Sequence, residues 1–290
     1  MKPRFFFLLI LPSFVVLISF MIFPMIYSWY LSFHDYNLYT PNRPMVFTGF
    51  DNFRQTLSDP IFYSSLSNTL IMMLFGLSIE FIIGFSFASI LYSRLKQGRL
   101  SSFFRTIFMT PIALAPVVVG WLWRFMYWPK LGLIDLLTEA MGLRSLGWLT
   151  DPAIALVSVT IVDIWEWTPF VFLILLSGFQ ALPEAPLEAA EVEGASKIQK
   201  MRYVVLPLMR PVIIIALIFR SIQLVKFFDQ VYALTHGGPG FSTYTISYYL
   251  YQIGLFRFEI GLASAASQLV NIIVIILVLI MIRMLRAGLQ

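Results

Sequence analysis

Long uninterrupted apolar stretches organise this sequence. Six of them, at 5–33, 66–91, 107–127, 154–179, 212–234 and 262–282, are long enough to supply the ~20 residues that a helix needs to cross the hydrocarbon of a bilayer. The first follows Lys2 and Arg4, as a secretory leader would. Its 29 residues far exceed the ~7–15 of a leader core, and no Ala-x-Ala cleavage site follows, so it reads as a retained helix. Pro12 and Pro24 are the expected bend points within it. The segments between stretches are short and rich in Asn, Asp, Gly and Pro, with Gly237-Gly238-Pro239-Gly240 opening the last one. Aromatic groups at Trp29/Tyr30, Trp121/Trp123/Trp128 and Tyr248/Tyr249/Tyr251 fall near the ends of stretches, where amphipathic rings settle at a membrane interface. The pattern divides the chain into 1–65 (first helix and outer loop), 66–284 (a five-helix core) and 285–290 (a tail).

Composition agrees with that pattern. The chain is 59% hydrophobic and 12% charged, where soluble domains run near a quarter charged. Charge then sets a direction. An even number of spans places both termini on one side, which receives twelve of the Lys and Arg residues. The other side receives six, with Arg220 and Lys226 inside a span. Basic residues gather in cytoplasmic loops, so both termini are expected in the cytoplasm. The net charge of +5 is therefore read as topology and not as nucleic-acid binding. Cysteine is absent and the two histidines lie far apart, so no metal site is expected.

One cytoplasmic segment, residues 180–207, is too short for a domain and too patterned for a slack loop. Pro183 and Pro186 permit a helix start, and Glu184, Glu188 and Glu191 suit its positive end. Gly194 supplies a break. Ser196-Lys197-Ile198-Gln199 spells a capping box that opens a second helix. Ile198, Met201 and Val205 give that helix one apolar stripe, and Pro207 is expected to close it. The prediction is a helix–turn–helix standing out of the membrane, acidic first and basic second: either a structural turn or a knob that enters a socket.

The spelling of this segment is specific. Glu188-Ala189-Ala190, three residues, Gly194, nine residues, Val204, one residue and Leu206-Pro207 resembles the EAA signature of ATP-binding-cassette importer permeases, with Glu193 where that family usually has Asp. Trp148-Leu149-Thr150-Asp151-Pro152, Leu234-Thr235-His236-Gly237-Gly238-Pro239, Phe228-Asp229 and the 261–266 segment are similar to the carbohydrate-uptake branch, specifically its maltose-type first permease subunit. The resemblance covers roughly residues 60–285 and implies an all-α membrane protein of six transmembrane helices, the type I importer fold with a cytoplasmic coupling helix. It also implies a role for Glu188, Ala189, Ala190, Gly194, Ala195, Leu206 and Pro207 in docking the ATPase. The implied partners are a second, different permease, two ATP-binding-cassette subunits and a periplasmic or lipid-anchored sugar-binding protein, within membrane lipid of the inner membrane. No Gly-Lys pair occurs, so the chain has no phosphate loop. ATP and Mg are expected on a partner, and the chain itself is not expected to be an enzyme.

Six ionisable groups lie inside predicted spans: Glu80, Asp163, Glu166, Arg220, Lys226 and Asp229. Each costs about 3 kcal/mol there unless paired or facing a cavity. Asp163 and Asp229 read as structural, and Glu80 as needing a partner such as Arg220 or Lys226. The resemblance points to Glu166, Trp167, Phe170, Phe219, Gln223 and Lys226 as substrate-cavity candidates, where aromatic faces stack on sugar rings and polar groups take hydroxyls. Lys226 raises the alternative of an anionic cargo, such as a phosphorylated or sulfonated sugar. Polyamine or peptide cargo on the same machinery, and a self-sufficient secondary transporter, are the remaining readings.

Overall fold

In the computed structural model, the described residues are 3–40, 44–94, 99–142 and 146–286. They are almost wholly helical: α1 (Pro3–Leu17), α2 (Phe23–Ser32), α3 (Asp51–Ser58), α4 (Pro60–Arg94), α5 (Arg99–Met109), α6 (Pro116–Met126), α7 (Leu133–Ala140), α8 (Pro152–Gln180), α9 (Glu184–Val192), α10 (Lys197–Lys200), α11 (Leu206–Val225), α12 (Asp229–Leu234), α13 (Ile246–Tyr251) and α14 (Ile260–Arg286). Two short strands, β1 (His34–Asp35) and β2 (Val46–Phe47), pair antiparallel. Of the Lys and Arg residues that set the orientation, Lys2, Arg43, Lys96 and Arg144 lie outside the described residues.

Among the described residues, five stretches are long and apolar enough to cross a membrane: Ile10–Ser32, Pro60–Ser93, Pro152–Gln180, Lys197–Val225 and Ile260–Met284. They correspond to five of the six predicted spans. The remaining one, 107–127, is broken. Pro111 starts a single 3-10 turn, Pro111–Ala113, and Ala115 is extended (φ −69°, ψ 135°) before Pro116 opens α6. A residue preceding proline is pushed out of the helical region, and proline gives no N–H to carry the ladder across. The apolar run therefore passes as two half-helices.

The stretch 212–234 also departs from expectation. Its helix starts earlier and stops at Val225; Lys226, Phe227 and Phe228 break it before α12. No glycine or proline causes this. Hydroxyls from the following segment take the freed carbonyls instead: Thr245 Oγ1 donates to the Phe227 carbonyl at 2.7 Å and Ser247 Oγ to the Val225 carbonyl at 2.8 Å. Carbonyls released by a broken helix inside a membrane need such partners. Arg124, near the end of α6, donates to the Ala233 carbonyl near the end of α12 at 3.0 Å.

Proline acts differently where a π-turn precedes it. Ile18–Ile22 is a π-turn just before Phe23-Pro24, and Met201–Val205 is one just before Leu206-Pro207. In each, one amide reaches back five residues, Phe23 to Ile18 and Leu206 to Met201. The widened turn accommodates the proline ring, and the helix continues. Pro207 thus does not close the second short helix: α10, the π-turn and α11 run on as one stretch, Lys197–Val225.

The contacts divide the chain into two units, residues 1–62 with 249–273, and residues 63–248 with 274–290. In the first, the N-terminal apolar window has none of its residues buried inside the chain. Backbone and side chains around β1 and α3 are tightly bonded. Asn52 donates to the Ser32 and His34 carbonyls at 3.0 and 2.9 Å, and Gln268 donates to Ser28 Oγ at 3.0 Å. In the second unit the core joins α4, α8 and α11 through Ala88, Leu91, Phe172, Leu175, Phe179 and Met209, among others.

Candidate functional site

The segment 184–205 forms the helix–turn–helix that its spelling predicts. Gly194 takes φ +77°, a conformation that costs L-residues with a Cβ, and closes α9 in a Schellman turn. The Ala195 amide reaches the Ala190 carbonyl at 2.9 Å and the Gly194 amide reaches Glu191 at 3.1 Å. The capping box is complete: Ser196 Oγ accepts from the Gln199 amide at 3.3 Å, and Gln199 Oε1 accepts from the Ser196 amide at 2.8 Å. Lys200 Nζ donates to Glu191 Oε1 at 2.5 Å, pinning the second helix to the first.

This element is anchored to the spans and bare at its tip. Leu187 and Val205 are buried in the same core as Phe179 and Met209, and Ala190 is buried as well. Glu188 and Ala189 are exposed. Val192, Ile198 and Tyr203 are 89%, 79% and 68% exposed, large apolar groups presented outward by a rigid frame. The expected stripe holds for Val205 and only partly for Met201. Ile198 turns outward, because the π-turn inserts an extra residue and shifts the helical phase between them. A cleft of about 530 Å³ runs beside the element, with Phe179, Leu187 and Val205 among its apolar lining and Glu188, Glu191 and Lys197 among its charged lining.

A second cluster lies deep among the spans. Arg220 (α11) donates through Nε and Nη2 to the two carboxylate oxygens of Glu80 (α4), both at 2.8 Å, and through Nη2 to Asp163 (α8). All three side chains are at most 1% exposed. The Arg220 guanidinium also lies over the Trp167 ring at 5.1 Å. Glu80 therefore has the partner its mid-span position demands; of the two cations considered for it, Arg220 fills the role and Lys226 does not. Bidentate pairing within the same unit suits a low-dielectric site, where a lone carboxylate would be costly.

The cavity candidates, and the in-span charge Asp229 with them, separate by exposure. Glu166 is buried and accepts from Gln230 Nε2 at 2.5 Å, and Trp167 packs edge-on to Phe170 at 6.1 Å. Glu166 is thus enclosed by the helix packing, whereas Trp167 and Phe170 are half-buried. Phe219, Lys226 and Asp229 are exposed, with Lys226 and Asp229 at the break between α11 and α12. Gln223 is half-buried, as Trp167 and Phe170 are, with its Oε1 buried.

The family model described as binding-protein-dependent transport system inner membrane component matches residues 80–289. The chain belongs to that family. It is 36% identical over 272 residues to the trehalose/maltose transport system permease protein MalF of Thermococcus litoralis, spanning 93% of this chain and 89% of that protein. It is 31% identical to the trehalose transport system permease protein SugA of Mycobacterium tuberculosis, over 99% of this chain and 90% of that one. A crystal structure of a bacterial ABC transporter involved in importing the acidic polysaccharide alginate superposes with a TM-score of 0.81. At 23% identity over 98% of this chain and 96% of the other, that match establishes the fold. The permease is thus a multi-pass inner-membrane component of a transport system, in the importer fold that its EAA-like spelling indicates. Sequence reasoning singled out the signature residues of the loop but missed Val192 and Tyr203. No sequence signal marks them, since exposure is a property of the assembled turn.

Proposed function

We propose that this permease forms half of the membrane passage of an ATP-driven sugar importer. A soluble sugar-binding protein delivers the cargo, a second and different permease completes the passage, and two separate ATPase subunits bind ATP and Mg. Both termini and the 184–205 element face the cytoplasm, as the distribution of basic residues favours. One observation carries the reading: a doubly capped knob, rooted in the span core by Leu187 and Val205, displays Val192, Ile198 and Tyr203 to water. Exposed apolar groups on a rigid frame mark a docking surface. The element carries both signs, Glu184, Glu188, Glu191 and Glu193 on its first half and Lys197, Lys200 and Arg202 on its second, so a protein socket with charges of its own can match it in register.

Mechanistically, the signature residues build the knob and its tip makes the contact. Gly194 and Ala190 set the turn, and Leu206-Pro207 follow the π-turn that carries the knob without interruption into α11. Displacement of the knob by a closing ATPase dimer is then delivered directly to α8 and α11. The cycle is a population shift between inward-open and outward-open arrangements, biased by ATP and by the loaded binding protein. Relatives named for trehalose and maltose transport support a sugar cargo. Glu166, Trp167, Phe170, Phe219, Gln223 and Lys226 are the residues we assign to its passage. An anionic sugar is the second reading. Arg220 is committed to two carboxylates, which leaves the exposed Lys226 as the cation that a charged cargo would meet.

The test is co-purification from membranes expressing the four partners. Val192→Asp with Ile198→Asp should leave the chain inserted at normal abundance and remove the ATPase from the purified complex, together with ATP-driven sugar uptake in proteoliposomes. Normal ATPase recovery and uptake would overturn the reading.

A further inference from the structure

We propose that α7, the short helix that follows the half-helix α6, lies in the plane of the membrane, its leucine face sunk into the leaflet where α6 leaves the bilayer. The helix is inside out for water. Leu133, Leu136, Leu137 and Met141 recur at the three- and four-residue spacing of one helical face and are 48–76% exposed. The opposite face turns polar groups inward. Asp135 is fully buried, its Oδ2 accepting from the Lys130 amide at 2.6 Å, and the half-buried Thr138 donates through Oγ1 to the Asp135 carbonyl at 2.7 Å. An aqueous surface selects the reverse arrangement, and a contiguous exposed apolar face marks contact with lipid or protein.

Three features favour lipid. The stripe is made of Leu and Met, with Ala140 completing it, whereas protein interfaces are anchored by Trp, Tyr and Arg. It is also continuous with the end of a membrane helix. Phe125 and Trp128, at the exit of α6, are exposed and stack with ring centroids 6.3 Å apart, and a tryptophan at such an exit marks the membrane interface. Finally, Lys130 is exposed in the turn between α6 and α7, where its ammonium can reach lipid phosphates while the stem lies along apolar surface.

The helix is held stiffly at that depth. Gly132 packs so closely on the end of α6 that a Cβ there would lie 2.3 Å from the Met126 carbonyl oxygen and 2.5 Å from the Trp128 nitrogen. The Gly132 amide donates to the Trp128 carbonyl at 2.7 Å. On its other flank α6 meets α12, where a Cβ at Gly120 would lie 2.5 Å from the Ala233 Cβ. An interfacial α7 therefore fixes the depth of both half-helices.

The inference requires only that the chain is membrane-embedded, so its failure leaves the importer reading standing. Because the chain contains no cysteine, Leu133→Cys, Leu137→Cys and Glu139→Cys each give it a single thiol for a nitroxide label. Glu139 is exposed at the edge of the stripe and serves as the aqueous reference. The labelled permease is reconstituted with its partners in liposomes, and collision with dissolved oxygen, which concentrates in hydrocarbon, is compared with collision with a water-soluble nickel chelate. Labels at 133 and 137 should lie about 5–10 Å below the headgroups and favour oxygen over the chelate several-fold, with the order reversed at 139. Equal access of the chelate at 133 and 137 would make the face aqueous and overturn the proposal. Exclusion of both reagents would mean that a protein, the second permease or a docked carrier, covers the face, and would overturn it as well. In the unsubstituted permease, a photoreactive lipid with its diazirine just below the headgroup should form adducts within residues 131–141; adducts on the long spans with none on 131–141 would also overturn it.

Discussion

Removing the buried cation among the spans should cost more than removing all the charges with it. Arg220 makes three charge-assisted hydrogen bonds, two to Glu80 at 2.8 Å and one to Asp163, with every partner at most 1% exposed. Each such bond contributes about 1.5–3 kcal/mol, and breaking a buried pair typically costs about 3–5 kcal/mol because a bare charge is left behind. Arg220→Met strands two carboxylates and belongs at the upper end of that range. Glu80→Gln leaves Arg220 paired with Asp163 and keeps the shape of the side chain, so about 1.5–3 kcal/mol is expected. The triple variant Arg220→Met, Glu80→Met, Asp163→Leu removes every charge and should be more stable than Arg220→Met alone. Unfolding midpoints in lipid nanodiscs, combined as a mutant cycle, measure these differences. The reasoning fails if Arg220→Met costs under about 1 kcal/mol, or if the triple variant is the least stable of the set.

The knob gives a second prediction. A Cβ added at Gly194 meets no atom within 4 Å, so the folding penalty of Gly194→Asp comes mainly from the left-handed backbone, about 1–2 kcal/mol, and this variant, like Glu188→Lys, should abolish uptake without reducing insertion; transport at wild-type rates in both variants would refute the assignment. Lys226→Gln should lower uptake of anionic sugars relative to neutral ones if the second cargo reading holds, and an unchanged ratio in competition assays would dismiss it. Tyr249 is buried and donates to Asp59 Oδ2 at 2.8 Å, and both burial and that carboxylate raise its pKa above the ordinary 10. A phenol whose folded pKa is raised contributes stability that is complete below pH ~10 and declines above it, because only the unfolded chain then ionises. Alkaline unfolding should therefore be steeper in wild type than in Tyr249→Phe; equal slopes would refute the linkage.

Much of the candidate site was legible in the sequence because its information is local. Ser196 and Gln199 are three residues apart and satisfy each other wherever the helix starts, and Gly194 is where a left-handed turn is least costly. The break in 107–127 is written in Pro111 and Pro116, but the uninterrupted apolar composition of the stretch masks it. The exposed tip was not legible. Ile198 looked like part of an inward stripe at ideal helical spacing, and only the π-turn before Pro207 reverses it.

By itself, the sequence determined that the chain is membrane-embedded, where its apolar stretches fall, and that a capped helix–turn–helix lies within 180–207. These follow from composition and from contacts between near neighbours. Only the tertiary structure decided that Arg220 belongs to Glu80 and Asp163, residues 140 and 57 positions away. It likewise decided that α11 ends at Val225, where Thr245 and Ser247 supply the bonds the helix gives up. The reason is common to both. A buried charge or an opened carbonyl must find a partner, but nothing along the chain states which one; the packing of α4, α8 and α11 makes the first choice, and the placement of residues 245–247 against the end of α11 makes the second.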